Sequence, residues 1–320
     1  MAIVRTMGWR PSAPDLRDIM YKAPDRVSAT LPDYVDLSNP TLPHPFEPPN
    51  GQGELGSCGP QSAAKDIIYS SLKHEQHKEA LVPSILFIYY NTRAIMGTLE
   101  SDSGVDNRSL MKSLNKFGWC DESLWPYDDN ASRSGRFLQR PPDAAYQQAS
   151  NRKITGYARV EQDPRTMMAC LANGDPFIFG FNVYSSMLTS EVDRTGIIPS
   201  PRFMDRRRGG HDVLIVGYNN SSVPVMDIPA GHFKFLNSWT REWGFNGYGY
   251  IPISYACDPM LADDFWTATG TGVISDPIVQ PKPEDKPESP TDHKTYDIPG
   301  FGRFRIPAWP GDDVSFKKSG

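Results

Sequence analysis

The spacing of apolar residues changes character once along this chain, and that change limits the folds open to it. From Cys58 onward, Ala63, Ala64, Ile67, Ile68 and Leu72 recur at helical spacing. This predicts one amphipathic helix over 58–76. Pro60 falls in its first turn, where no backbone hydrogen bond is lost. Further helices are expected over 82–96 and 109–117, the second closed by Gly118 as a C-cap. Beyond position 150 the text becomes strand-like. Residues 153–160 alternate, and 177–181, 213–218 and 232–236 are apolar runs bounded by Gly, Pro and Asn. A short helix over 164–173 interrupts them. Helices first and strands later predict an α+β fold, with a helical lobe over 50–150 and a β lobe over 151–270.

The ends read differently. Residues 1–30 form a Pro-rich arm with little periodicity but several anchors, Trp9, Leu16, Ile19, Met20 and Tyr21. A short strand is expected within 31–37, opening a domain over 31–275. Residues 276–320 hold a charged, Pro-rich linker (277–290) and an aromatic tail, 301–309, rich enough to dock on something. Thirty prolines and 26 glycines with 38% hydrophobic residues imply long loops between short elements. The net charge of −5 mixes both signs, and the one basic cluster, Arg206–Arg208, is short enough to be a solvated loop, so nucleic acid is not an expected partner. No apolar run approaches the roughly 18 residues of a membrane span. The N-terminus lacks the apolar core of a secretory signal, which points to the cytoplasm or to export without a cleavable signal peptide. Cys58, Cys120, Cys170 and Cys257 are accordingly expected to be reduced.

Four polar residues sit in unusual settings. Cys58 lies between Gly56-Ser57 and Gly59-Pro60, a sharp turn into the first helix. The free amides and dipole there favour a thiolate, the form that attacks a carbonyl. His211 follows two glycines and is read as the opening of a strand, where Gly210 lets a substrate backbone come close. Asn237, in Asn237-Ser238-Trp239, would hold His211 in its working tautomer through its side-chain oxygen. Trp239 would lie over that bond and keep water out. Gln52, six positions before Cys58, would donate with the Cys58 amide to an oxyanion. The other histidines, His44, His74, His77, His232 and His293, have no comparable setting. No metal or cofactor is expected.

The order Gln, Cys, His, Asn, with His and Asn roughly 150 and 180 residues after the Cys, resembles that of papain-like cysteine peptidases. Trp243-Gly244 and then Asn246-Gly247-Tyr248 follow Asn-Ser-Trp as they commonly do in that family, and Glu122–Tyr127 is similar to its Pro-Tyr segment. The resemblance covers about residues 31–270 and is that of a prokaryotic-type member with a short N-terminal segment. It implies a helical left lobe, a barrel-like right lobe and a cleft between them. It implies an endopeptidase acting through a thioester on Cys58, with Gly104, Gly210 and Trp243 binding a peptide or protein substrate and no membrane involved. A monomer is expected. The same thioester could serve a transpeptidase or ligase, and a non-catalytic interaction protein could keep the scaffold, although the intact set argues against that. Two departures stand out: Gly59 replaces an aromatic residue, and Glu54 stands where a disulfide cysteine is familiar. The arm is too short for a helical prosegment. It is expected to pack along the surface and partly cover the cleft near Cys58.

Overall fold

The computed structural model describes residues 6–38, 51–73, 82–273, 292–298 and 302–308. It divides into a large unit, Met1–Ser275, and a small one, Asp276–Gly320. In the large unit three long helices come first. They are α2 (Cys58–Lys73), α3 (Ile85–Met96) and α4 (Asn107–Lys116), preceded by the short α1 (Asp25–Ala29) and β1 (Tyr34–Asp36). Then α5 (Asp143–Ala149) leads into β2 (Arg152–Arg159), α6 (Pro164–Ala172), β3 (Phe177–Tyr184), α7 (Ser190–Thr195), β4 (Arg207–Asn219), β5 (His232–Leu236), β6 (Tyr248–Pro252), α8 (Ile253–Ala256) and β7 (Ala262–Val273).

Local chemistry sets the helix ends. The expected helix over 82–96 starts later because Ser84 caps it, its side chain accepting from Phe87 N. The one over 109–117 starts earlier because Asp106 accepts from Ser109 N. Gly118 follows its last residues at φ +73°, and an added Cβ there would meet Arg152 O at 2.0 Å. Asp163 caps α6 in the same way, with Pro164 in the first turn. Of the helix expected over 58–76, residues 74–76 lie outside the described residues, as do His44, His74, His77 and the linker 277–290.

The strands form one antiparallel sheet in the order β2-β7-β3-β4-β5-β6, with β1 added beside β4. β2 and β6 do not pair, so the sheet is open and the expected barrel is not closed. β4 is longer than expected: Arg207 and Arg208 form its exposed start rather than a loop, and His211 lies inside the strand rather than opening it. Its pairing with β3 continues back to Arg207, which accounts for the extension. β6 and β7 are strands beyond those the sequence pattern predicts. In β7 the acidic pair Asp263-Asp264 obscures the apolar pattern.

The two faces of β4 serve two cores. Val213 and Ile215 enter a core built within the β lobe with Phe177, Phe179, Phe181, Phe235 and Trp243. Leu214 and Val216 enter a second core with Ala63, Ala64 and Ile67 of α2 and Leu110 and Leu114 of α4. α2 is thereby held against β4, each fully buried Leu or Ile contributing roughly 1.5–3 kcal/mol. In the small unit, β8 (Asp292–Ile298) and β9 (Gly302–Ala308) form an antiparallel hairpin. β9 takes up most of the aromatic tail expected over 301–309, and β8 lies between that tail and the linker 277–290; His293 lies in β8, and Phe301 and Trp309 lie outside the described residues.

Candidate active site

Cys58 is the first residue of α2, whose first intrahelical bond runs from Gln61 N to Ser57 O at 3.0 Å. The turn before it is fixed by Asp102, which accepts from Gly56 N with both oxygens at 3.0 Å and from the Tyr89 hydroxyl. Ser57 Oγ is 2.7 Å from Tyr127 Oη, which also donates to Gln52 O at 2.7 Å. Tyr127 comes from the Pro-Tyr segment noted in the sequence. Asp102 carried no signal beyond its place in an acidic loop.

His211 and Asn237 meet across β4 and the end of β5. His211 Nε2 is 2.8 Å from Asn237 Oδ1, and His211 Nδ1 is buried without a hydrogen-bond partner. The Trp239 ring stacks on the imidazole, with centroids 4.5 Å apart and planes at 27°. Trp243 packs edge-on against Trp239 at 5.4 Å and is fully buried in the β core. It braces Trp239, and its complete burial gives no support to the substrate contact expected of it. Gln52 Nε2 donates to Leu55 O at 2.9 Å and to Thr6 O at 3.1 Å, while its Oε1 accepts from Ser238 Oγ. The four predicted residues are thus linked through the α2 turn, β4 and the segment after β5.

The arm runs through this same place. Val105 N donates to Gly8 O at 2.8 Å, Arg10 N to Val105 O at 3.0 Å, and Trp9 N to Gly210 O at 3.0 Å. Thr6 Oγ1 donates to Gly53 O at 2.9 Å. The predicted glycines make room for it. A Cβ on Gly104, at φ +68°, would meet Gly8 O at 1.9 Å, and one on Gly210 would meet the Trp9 ring at 2.6 Å. Farther along, Ser12 N and Trp9 Nε1 donate to Asp264, Arg108 Nε and Nη2 hold Asp18, and Tyr21 Oη donates to Asp175 Oδ2 at 3.0 Å. Leu16, Ile19 and Met20, expected as anchors, are exposed. Polar contacts and the Trp9 and Tyr21 rings do the anchoring instead.

Cys58 and His211 are both fully buried. Burial is the main cause that pushes the Cys58 thiol up to about 12; the nearby Asp212 carboxyl adds to it, and backbone groups of Asp212, Gly8 and Gly59 oppose it. Burial brings His211 down to about 4 against the opposing Asn237 bond. A covered pair of this kind is thiol and neutral imidazole at pH 7. The other cysteines are free: Cys120 and Cys170 are buried and Cys257 half-buried, with thiol values raised chiefly by burial. His232 is occupied locally, its Nδ1 lying 2.7 Å from Ala230 O. Among the described residues no group of three or more His, Cys, Asp or Glu is placed to hold a metal, and no helix is long and apolar enough to cross a membrane.

The family profile described as papain family cysteine protease matches residues 31–260, and the chain belongs to that family. It is a papain-like cysteine peptidase of α+β fold. It is 33% identical over 297 residues to an uncharacterized peptidase C1-like protein of Acanthamoeba polyphaga mimivirus, covering 87% of this chain and 90% of that one. Among solved structures it is similar to xylellain, a cysteine protease from Xylella fastidiosa, at TM-score 0.74 and 36% identity, covering 84% of this chain and 99% of that one. The procathepsin B of Trypanosoma congolense shares the fold at TM-score 0.60 and 14% identity, over 83% of this chain and 86% of that one.

Proposed function

We propose that Cys58 is the nucleophile of peptide-bond hydrolysis. The observation that carries this is the Cys58 position at the α2 N-terminus together with His211 held by Asn237 under Trp239. The Cys58 thiol passes its proton to His211 Nδ1, and the sulfur adds to the substrate carbonyl. Gln52 Nε2 and the Cys58 amide donate to the oxyanion that forms. His211 then gives its proton to the leaving amine as the C–N bond breaks, leaving a thioester. A water, deprotonated by His211, attacks the thioester, and the thiol is released. Asn237 Oδ1 accepts from Nε2–H, which leaves Nδ1 free to face the sulfur.

The arm is read as a cover on this site. Gly210 O and the Val105 backbone are groups an extended substrate would use as an added strand does, and Gly8, Trp9 and Arg10 occupy them. Thr6 O takes the Gln52 amide that an oxyanion would need. Removing the arm would return water to Cys58 and His211 and reverse the burial that keeps both neutral. The test of the nucleophile is labelling with an epoxide-type thiol reagent, followed by peptide mapping, beside turnover of Cys58→Ala. Label on Cys58 and loss of turnover are expected. Label on Cys120, Cys170 or Cys257, or turnover retained in Cys58→Ala, would sink the assignment. Product analysis with an added amine distinguishes hydrolysis from transfer.

A further inference from the structure

Directly after His211 in β4 stands Asp212, on the opposite face of the strand. It is fully buried. Its Oδ1 accepts from Asn107 Nδ2 at 2.9 Å, and its Oδ2 has no hydrogen-bond partner. That free oxygen lies against the start of α2: a Cβ on Gly59 would come within 2.8 Å of it. Gly59 is the residue after Cys58, so only a glycine leaves room for this carboxyl at the helix end. A buried carboxyl with one satisfied and one orphaned oxygen is costly to hold charged.

The surroundings are acidic. Asp264 on β7 and Asp106, the cap of α4, both face it and oppose its ionisation, and burial is the larger cause that raises its value well above the carboxylate norm. From α2 it faces Cys58, whose thiol it pushes upward. Ser62 Oγ, also from α2, donates to its backbone carbonyl at 3.5 Å. From its own strand His211 points to the other side, where its shift comes from burial and the Asn237 bond. The cation Arg108 of α4 is committed to Asp18. Among the described residues no salt bridge reaches Asp212.

We propose that Asp212 is a positioning residue for the thiolate, acting through Cys58: it holds its proton so that Cys58 can lose one. Two anions at the head of α2 would compete for the same helix amides and repel one another. The neutral carboxyl leaves the helix end to the sulfur. Ionisation of Asp212 at higher pH, its own proton going to solvent, returns the thiol proton from His211 Nδ1 to Cys58 while the His211 Nε2–Asn237 bond stays in place. This gives the peptidase an alkaline limit set by the ionisation of Asp212 rather than by direct release of the His211 proton to solvent. The idea rests on the Cys58 assignment for its bearing on turnover, but its electrostatic content does not.

The experiment measures the Cys58 thiolate directly, by its ultraviolet absorbance in the full chain against a Cys58→Ser reference, across neutral and alkaline pH. Asp212→Asn keeps an acceptor for Asn107 and removes the titration. Its thiolate midpoint should fall by about one pH unit relative to the unchanged chain, at the lower end of single-charge effects. Alkylation by iodoacetamide above neutral pH should rise about tenfold with it. Asn107→Ala is the second variant. Losing its donated bond disfavours the Asp212 anion, so its midpoint should move the same way by less. Midpoints unchanged in both variants overturn the proposal. So does a loss of activity at every pH with no shift of midpoint, the mark of a merely structural carboxyl. If the midpoints shift while Cys58→Ala still turns over substrate, the coupling stands and the nucleophile assignment fails.

Discussion

The two faces of β4 treat two consecutive polar residues in different ways. His211 projects with Val213 and Ile215 into an aromatic core, where Phe181 meets it edge-on and Trp239 stacks upon it. Its one bond is to a neutral amide, Asn237. Asp212 projects with Leu214 and Val216 toward α2 and α4, where its neighbours are two further carboxyls. On one face burial disfavours the charged form of an imidazole, and on the other burial and neighbouring carboxyls disfavour the charged form of an acid. Because side chains alternate along a strand, two adjacent positions look into different surroundings, Asp212 against Gly59 at the head of α2 and His211 against Asn237 and Trp239. With the roles proposed above, one strand carries both a catalytic base and a control on its nucleophile.

The sharpest way to break this comparison is to remove each face in turn. His211→Ala should lower kcat by about 10⁴-fold or more, since it takes away the proton acceptor of both half-reactions. Leu214→Ala, one turn of the pleat beyond Asp212 and fully buried, should cost about 2–5 kcal/mol of stability while the folded fraction keeps its kcat. Denaturant unfolding beside single-turnover kinetics separates the two. If Leu214→Ala damaged kcat as much as His211→Ala, the faces would not be functionally distinct. Asn237→Ala belongs on the His211 side and should be milder than His211→Ala, because it removes orientation rather than the base.

Gln52→Ala comes next, at about 10²-fold in kcat, the usual cost of one oxyanion donor. Unchanged kcat would remove Gln52 from the mechanism. Gly8→Val tests the cover: its Cβ would meet Gly56 O at 2.1 Å, so the arm must lift near Cys58 while Ser12, Asp18 and Tyr21 still hold it farther along. Labelling of Cys58 should speed up about tenfold, equal to about 1.4 kcal/mol of arm contact. An unchanged labelling rate means that the arm does not gate the thiol.

The sequence exposed the His211 face and hid the other. Cys58, His211, Asn237 and Gln52 stand among glycines, a helix start and a Trp-rich segment, and each local setting needs that residue type. Asp212 has no such setting, since in the text it is one acid before an apolar run. Its meaning depends on Gly59, roughly 150 residues earlier, and on Asp106 and Asp264 arriving from α4 and β7. Long-range burial of this kind leaves no periodic trace. For the same reason the arm is legible as an attached segment, and of its expected anchors Trp9 and Tyr21 are buried while Leu16, Ile19 and Met20 are not. Hydrophobicity favoured Leu16, Ile19 and Met20, whereas a thin extended segment on a surface is fixed by its backbone pairing and by Asp18 with Arg108. Asp263 and Asp264 masked β7, although Asp264, at φ +68°, gathers Trp9, Ser12, Asn107 and Trp266 around its carboxyl.

The smallest effect asks whether the acidity of the second face extends along α2. Asp66 is buried there with one bond, from Ser70 Oγ at 3.3 Å, and burial raises its carboxyl from 3.8 to about 7. The sign follows from linkage. The unfolded chain ionises Asp66 near 3.8 and the folded chain near 7, so the stability present below the first value is lost as pH rises through the second. Asp66→Asn removes that loss while Ser70 can still donate to the amide oxygen. The full shift corresponds to about 4 kcal/mol, and relaxation with water entry should leave about 1 kcal/mol in practice. Asp66→Asn should therefore unfold at higher denaturant than the unchanged chain above pH 7 and at the same denaturant at about pH 3, below the unfolded value of 3.8, where the carboxyl is neutral in both states. A gain of equal size at both pH values would show packing rather than charge. A loss at high pH would mean that Asp66 is charged and paired in the fold, and that the acidic seam is confined to the head of the helix.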